Sequence, residues 1–243
     1  MIQAENISKE FKIKNGINTV LENVNLSVFK GEKIGIIGAN GSGKTTLIRI
    51  LAGIMPPDSG KIKKQMSVSW PVGYVGGFQN NITGFDNIKF ISKIYGADYK
   101  TILNFVRSFS DLDEFLDEPL HVYSSGMKAR LNFSLMIAID FDCYLIDELL
   151  NVGDADFRTK CNVEIFKKRQ DRAIVIASHN DQIIKRYCTK AYVIFNNTLC
   201  PFNNTEDALK FYRGTLKNHE NDLNPRQKAR REAKILSEFG VKE

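Results

Sequence analysis

Lys33-Ile34-Gly35-Ile36-Ile37-Gly38-Ala39-Asn40-Gly41-Ser42-Gly43-Lys44-Thr45 decides how the rest of this chain is read. The first half is a short apolar run, the pattern of a strand buried on both faces. From Gly38 to Thr45 the second half matches G-x-x-x-x-G-K-[ST]. Beyond it, Leu47, Ile50 and Leu51 recur at helical spacing until Gly53 and Pro56-Pro57 stop the helix. Strand, glycine loop and helix in this order form a cradle for phosphate. The glycines let successive N–H groups face inward, and the helix N-terminus favours the same negative charge. Lys44 is expected to bridge the β- and γ-phosphates and Thr45 to bind Mg²⁺ through its hydroxyl. Gly38, Asn40, Gly41, Ser42, Gly43 and Thr46 are expected to complete the nucleotide site.

Two later strands point at the same place. Cys143-Tyr144-Leu145-Ile146 reads as a buried parallel strand and ends in Asp147-Glu148. Asp147 is placed to hold Mg²⁺ or its water shell opposite Thr45, and Glu148 to orient or deprotonate the attacking water. Ile174-Val175-Ile176-Ala177 reads as another strand, with His179 just past its end. A polar group there faces the γ-phosphate, where it can hold water and Glu148 in line, although a lone histidine is more often structural.

The remaining chain fills in around these. Residues 1–30 alternate in the β manner, with Leu26 and Val28 on one face and Asn15-Gly16 as a hairpin turn. Phe90, Ile91, Ile94 and Tyr95 predict one apolar helix face, and Ile102, Leu103, Val106 and Phe109 another, with Asp98 as its cap. After Pro119, a loop at 123–127 leads into a helix through Leu131, Leu135 and Ile139. Residues 191–195 and 198–202 form a hairpin around Asn196-Asn197, and Thr205-Glu206-Asp207 opens a short helix. The window 65–85 carries no charge, but Pro71 and its glycines make it an irregular loop buried against protein, not a membrane helix. Beyond about Lys217, Arg226, Lys228, Arg230, Arg231 and Lys234 give a basic tail, read as a solvated or partly disordered helix or as a rest on anionic lipid.

Composition excludes rather than selects. At 243 residues with 43% hydrophobic and 26% charged residues, the chain suits one large domain, or a core with a small subdomain. A net charge of +6 is compatible with nucleic acid, an anionic membrane or phosphorylated ligands. Cys143, Cys161, Cys188 and Cys200 lack the spacing of a zinc site and read as reduced, buried thiols. Met1-Ile2-Gln3-Ala4-Glu5 shows no basic-then-apolar leader. No Asn-Lys-x-Asp motif is present to favour guanine nucleotides.

In this order the motifs resemble the ATPases of ATP-binding cassette (ABC) transporters, over residues 1 to about 215. Tyr123-Ser124-Ser125-Gly126-Met127 stands where that family carries its signature, usually Leu-Ser-Gly-Gly-Gln. The resemblance implies an α/β fold: a P-loop NTPase core of the ABC type with an antiparallel β subdomain and an α-helical signature subdomain at about 85–140. It implies ATP and Mg²⁺ as cofactors, and a homodimer in which Ser124, Ser125 and Gly126 reach the nucleotide held by the opposite subunit. Asn151-Val152-Gly153-Asp154 matches the D-loop, and Phe11 the aromatic that stacks on adenine, although Phe11 also reads as core. Gln79 matches the Q-loop glutamine, a ligand to nucleotide and Mg²⁺, but it lies close to Thr83 and reads equally as a turn cap.

The departures from the usual signature resemble the branch that exports capsular polysaccharide, O-antigen or teichoic acid. Ser69-Trp70-Pro71, Gly76-Gly77-Phe78-Gln79, Ile82-Thr83-Gly84 and Glu148-Leu149-Leu150 most resemble the capsular exporters. This implies a permease dimer as partner, export components beyond it in the periplasm and outer membrane, and a peripheral place on the cytoplasmic face of the bacterial inner membrane. Some O-antigen exporters carry a C-terminal carbohydrate-binding domain, for which residues 216–243 are too few. A non-transport protein of ribosomes or DNA has only the basic tail in its favour, so no nucleic acid is expected.

Overall fold

The computed structural model describes residues 1–14, 16–72, 77–147 and 153–220, with side chains to 215. Glu148, the first half of the expected D-loop, Asn15, Gly76 and the basic tail lie outside the described residues.

Two sheets sandwich one helix. Strands β1 (Ile2–Ile13) and β2 (Gly16–Val28) form the expected hairpin, and β4 (Ser59–Lys64) joins the other edge of β1 in the antiparallel order β2-β1-β4. The larger sheet has the order β5-β6-β3-β7-β8, built from β3 (Lys33–Ile37), β5 (Cys143–Asp147), β6 (Ala173–Ser178), β7 (Lys190–Phe195) and β8 (Thr198–Phe202). The first four run parallel and β8 closes antiparallel to β7. Asn196 and Asn197 take φ of 47° and 63° in that turn, a conformation asparagine tolerates better than most residues.

Strand periodicity sorts the core. In β6, Ala173, Val175 and Ala177 face helix α1 (Lys44–Ala52) and the small sheet, while Ile174 and Ile176 face the opposite helices. Those helices are α4 (Ser125–Ile139), α5 (Ala155–Asn162) with a π turn at Val163–Lys167, α6 (Asp181–Tyr187) and α7 (Thr205–Glu220). Gly53 ends α1 at φ 84°, donating to the carbonyls of Arg49 and Ile50. Helices α2 (Gly84–Ile94) and α3 (Tyr99–Ser110) pack on α4 in a third cluster with Leu116, Leu120 and Tyr123. Helix α4 is a shared wall: Leu131 and Leu135 enter this cluster, whereas Phe133, Met136 and Ile137 enter the sheet core.

Several expectations change. The 123–127 stretch is a cap and the first turn of α4, not a loop, because the Ser124 hydroxyl accepts the Met127 N–H and starts the helix there. On α2 the buried face is Asn87, Ile88, Ile91 and Ser92, whereas Phe90, Ile94 and Tyr95 are exposed. Both stripes have helical spacing, and packing on α3 and α4 selects the one with two polar members. Helix α7 runs sixteen residues, longer than expected. Among the described residues of the uncharged window, Ser69, Pro71, Val72 and Gly84 are the buried ones. Residues 67–72 lie along β5, while Gly77, Gln79, Asn80 and Asn81 are exposed.

Candidate functional site

The glycine loop leaves the end of β3 and enters α1 without a side-chain cap, so the N–H groups of the first turn are left for a ligand. Gly41 and Gly43 take φ of 80° and 103°. A Cβ on Gly43 would also lie 2.8 Å from Val20, and one on Gly38 would run into the Ser42 hydroxyl. Lys44 is 5% exposed and donates to the carbonyls of Gly38 (2.8 Å) and Ala39 (2.9 Å), so its ammonium lies beneath the loop. Val20, Asn40, Gly41, Gly43, Lys44, Thr45 and Thr46 line a cavity of about 310 Å³. The Ser42 hydroxyl is buried with no hydrogen-bond partner among the described residues. Thr45, Thr46, Lys44 and the helix N–H groups around one cavity form a donor set suited to phosphate oxygens.

Parallel register brings the other strand ends to this loop. Ile37 pairs with Ser178 and Asp147 with Ala177, so Asp147 and His179 leave the same edge of the sheet as Gly38. With strands about 4.8 Å apart, Asp147 is two strands, about 10 Å, from the root of the loop. His179 is exposed, and the Ser178 hydroxyl accepts the Asn180 N–H at 3.0 Å, opening α6. Among the described residues no group of three or more His, Cys, Asp or Glu side chains could hold a metal by itself. Thr45 and Asp147 do supply hard oxygen donors of the kind Mg²⁺ takes alongside nucleotide phosphates and water.

Other expected residues stand apart from the cavity. Phe11 is 36% exposed on β1, opposite Asn18, with Lys9 Nζ 5.7 Å from its ring centre. Gln79 is exposed in a segment fixed by Asn87, which accepts the Gln79 N–H at 2.8 Å and donates to the carbonyls of Gln79, Ile82 and Thr83. Ser124, Ser125 and Gly126 cap and begin α4 in the helical layer and do not line the cavity of their own chain.

Three side chains that the motifs do not flag as polar anchors hold this frame. Ser69 takes the Leu145 N–H on its hydroxyl at 3.0 Å while its own N–H bonds Cys143, which lays residues 67–72 along β5. The Trp70 indole then donates to Asn132 on α4. Arg130, also on α4, bonds Asp111 at the end of α3 and Asp154 at the cap of α5, and lies 4.9 Å from the Phe157 ring centre. The Phe157 N–H, and secondarily Arg130, hold the Asp154 carboxyl below the usual carboxylate range. A Cβ on Gly153 would fall 3.1 Å from Phe157 and 3.2 Å from Arg130 Nε. Single Ser, Asn and Arg residues within apolar or helical runs carry no pattern of their own. Only the fold shows what they bond.

A family model described as ABC transporter matches residues 21–151, from the strand below the glycine loop through the end of β5. The chain belongs to the ABC transporter ATP-binding family. It is an ATPase that binds ATP. The cassette is 46% identical to the ATP-binding protein BexA of Haemophilus influenzae over 217 residues, 89% of this chain and 100% of the relative. It is 46% identical to the capsule polysaccharide export ATP-binding protein CtrD of Neisseria meningitidis, covering 87% of this chain and 98% of that one. Among solved structures, an ATP-binding subunit of an ABC transporter superposes with a TM-score of 0.72 at 20% identity, over 88% of this chain and 95% of the other. The fold of the cassette is therefore the ABC ATPase fold.

Proposed function

We propose that this cassette is the ATP-hydrolysing subunit of a bacterial ABC transporter that exports lipid-linked capsular polysaccharide. Resemblance to transporters of this cargo carries the reading. CtrD is named for capsule polysaccharide export, and the polysialic acid transport protein KpsT of Escherichia coli is 41% identical over 88% of this chain. A teichoic acids export protein, TagH of Staphylococcus epidermidis, is 34% identical.

The family resemblance supports the following roles. Gly38, Asn40, Gly41, Ser42, Gly43, Lys44 and Thr46 take the phosphates. Thr45 and Asp147, with Gln79, would hold Mg²⁺, which would supply charge neutralisation at the phosphates. Glu148 activates water and His179 holds it in line. Phe11 stacks on the adenine. The resemblance to ABC ATPases gives Ser124, Ser125 and Gly126 a nucleotide held by a second copy, which makes a homodimer the hydrolysing unit, and their absence from the lining of their own cavity is compatible with that. Gly153 and Asp154 belong to the D-loop across that interface. Residues 1–215 form the nucleotide-binding domain and 216–243 the tail. Among the described residues no helix is long and apolar enough to cross a membrane. A permease dimer provides the membrane path, with the cassette peripheral on its cytoplasmic face and any further export partners reached through that permease.

Glu148→Gln tests the site. It is expected to keep ATP binding, lose turnover by roughly a hundredfold or more, and elute as an ATP-bound dimer. Normal phosphate release by this variant refutes the role of Glu148. Surface glycan analysis of a deletion strain tests the cargo: intact capsule with loss of teichoic acid or O-antigen would overturn it.

A further inference from the structure

Two residues that set this sequence apart in the resemblance to capsular exporters, Tyr123 and Gly84, approach each other in the fold. Tyr123 replaces the usual leucine before the cap of α4, and Gly84 opens α2. The Tyr123 hydroxyl donates to the Phe115 carbonyl at 2.6 Å, and the residue is 4% exposed. A Cβ on Gly84 would lie 2.6 Å from that hydroxyl, and 3.0 Å from both the side chain and the carbonyl oxygen of Leu116. Gly84 is not among the positive-φ residues. It is glycine for space, and the space is taken by the phenol and by Leu116.

The contact sits in a seam. Phe85 donates to Leu116 (3.0 Å), Gly84 to Glu118 (3.2 Å), Leu120 to Ile82 (3.1 Å) and His121 to Asn80 (2.8 Å), all through backbone. The segment that carries Gln79 is thus laced to the segment that delivers the chain into α4. A leucine at 123 could fill the apolar pocket beside Ile88 and Leu131, but it could not bond Phe115. A hydrogen bond fixes direction where apolar packing fixes only volume. Burial, then the carboxylates of Glu118 and Asp117, pushes the phenol up to about 12, so it remains a donor at any working pH.

We propose that Tyr123 is a positioning residue for ATP hydrolysis: its hydroxyl, seated over Gly84, sets where Ser124 and Gly126 stand relative to the Gln79 segment. The inference rests on the reading above that Ser124 and Gly126 serve the nucleotide of a second copy. The seam makes the start of α4 and residues 80–85 one unit, and Tyr123 is its side-chain pin.

The test compares Tyr123→Phe, Gly84→Ala and the double variant, each full-length and bound to its permease, by kcat and KM for ATP, fluorescent-ATP binding and thermal unfolding. Tyr123→Phe is expected to lower kcat roughly three- to tenfold, the worth of one hydrogen bond. Nucleotide binding at the Lys44 loop should stay unchanged. Gly84→Ala should lose turnover in the same way. The double variant should be no slower than Gly84→Ala alone, because the closest clash, with the phenol oxygen, is gone and only the 3.0 Å approaches to Leu116 remain. Wild-type kcat in Tyr123→Phe, losses that multiply in the double variant, or failure of Tyr123→Phe to fold would each overturn the positioning role. A wild-type complex that binds no ATP would instead overturn the function itself.

Discussion

Replacing Asn87 by alanine tests whether one buried amide sets the Gln79 segment. The Asn87 side chain is fully buried on α2 and contacts one N–H and three carbonyls between residues 79 and 83. An amide can complete two donated bonds besides the one accepted here, so one of the three carbonyl contacts is shared. Three bonds at about 1 kcal/mol net each give about 3 kcal/mol. Because Gln79 is exposed, water replaces part of this, leaving about 2 kcal/mol. For a chain of this size that is a fall in unfolding temperature of about 4–8 °C. Asn87→Asp should be worse than Asn87→Ala, since a buried carboxylate would face three carbonyls where the amide donated. Urea unfolding gives the stability, and limited proteolysis should show new cleavage between residues 79 and 83. A loss below about 0.5 kcal/mol for Asn87→Ala, or an Asp variant as stable as wild type, would refute the reasoning.

Arg130→Met should cost about 1–2 kcal/mol in chemical denaturation, from two carboxylate contacts and the stack on Phe157. Arg130→Lys should recover less than half, because a single ammonium cannot reach Asp111 and Asp154 and cover the ring together; full recovery by lysine would refute this. Burial pushes the thiols of Cys143 and Cys188, and the phenol of Tyr144, up to about 12. Their folded values lie above the unfolded ones, so the stability they contribute is complete below about pH 9 and is lost as pH rises toward 12. The unfolding midpoint should fall across that range, and at pH 8 a disulfide reagent should label none of the four free cysteines until urea is added. Labelling of the native chain at pH 8 would contradict the burial.

How much of this was legible depended on how local the cause was. Lys33 to Thr45 announced strand, loop and helix because apolar runs, glycines and the Gly53 stop all act within a few residues. Asp98 behaves as the expected cap, accepting the Thr101 N–H three residues on. Strand β4 was not legible: Lys61, Lys63 and Lys64 look solvent-bound, and pairing with β1 is what makes it a strand. Phe90 and Ile94 misled because two overlapping stripes share the helical period, and only the partner helices choose between them. The glycine loop was readable as a motif. The scaffold of Ser69, Asn87 and Arg130 was not, since each bonds groups distant in sequence or hidden in a helix.

The placement of β3 at the centre of the sheet has a consequence for biosynthesis. Its hydrogen-bonding neighbours are β6 and β7, so the strand that roots the ATP loop leaves the ribosome with neither partner yet made. At about 5–20 residues per second, the roughly 140 residues separating β3 from β6 take on the order of 7–30 s to translate. The β1–β2 hairpin can close early, but through that interval Ile34, Ile36 and Ile37 remain an apolar segment with both edges open. Until β6 and β7 emerge, a truncated chain would therefore present this open apolar strand as an aggregation-prone fragment rather than a partial enzyme.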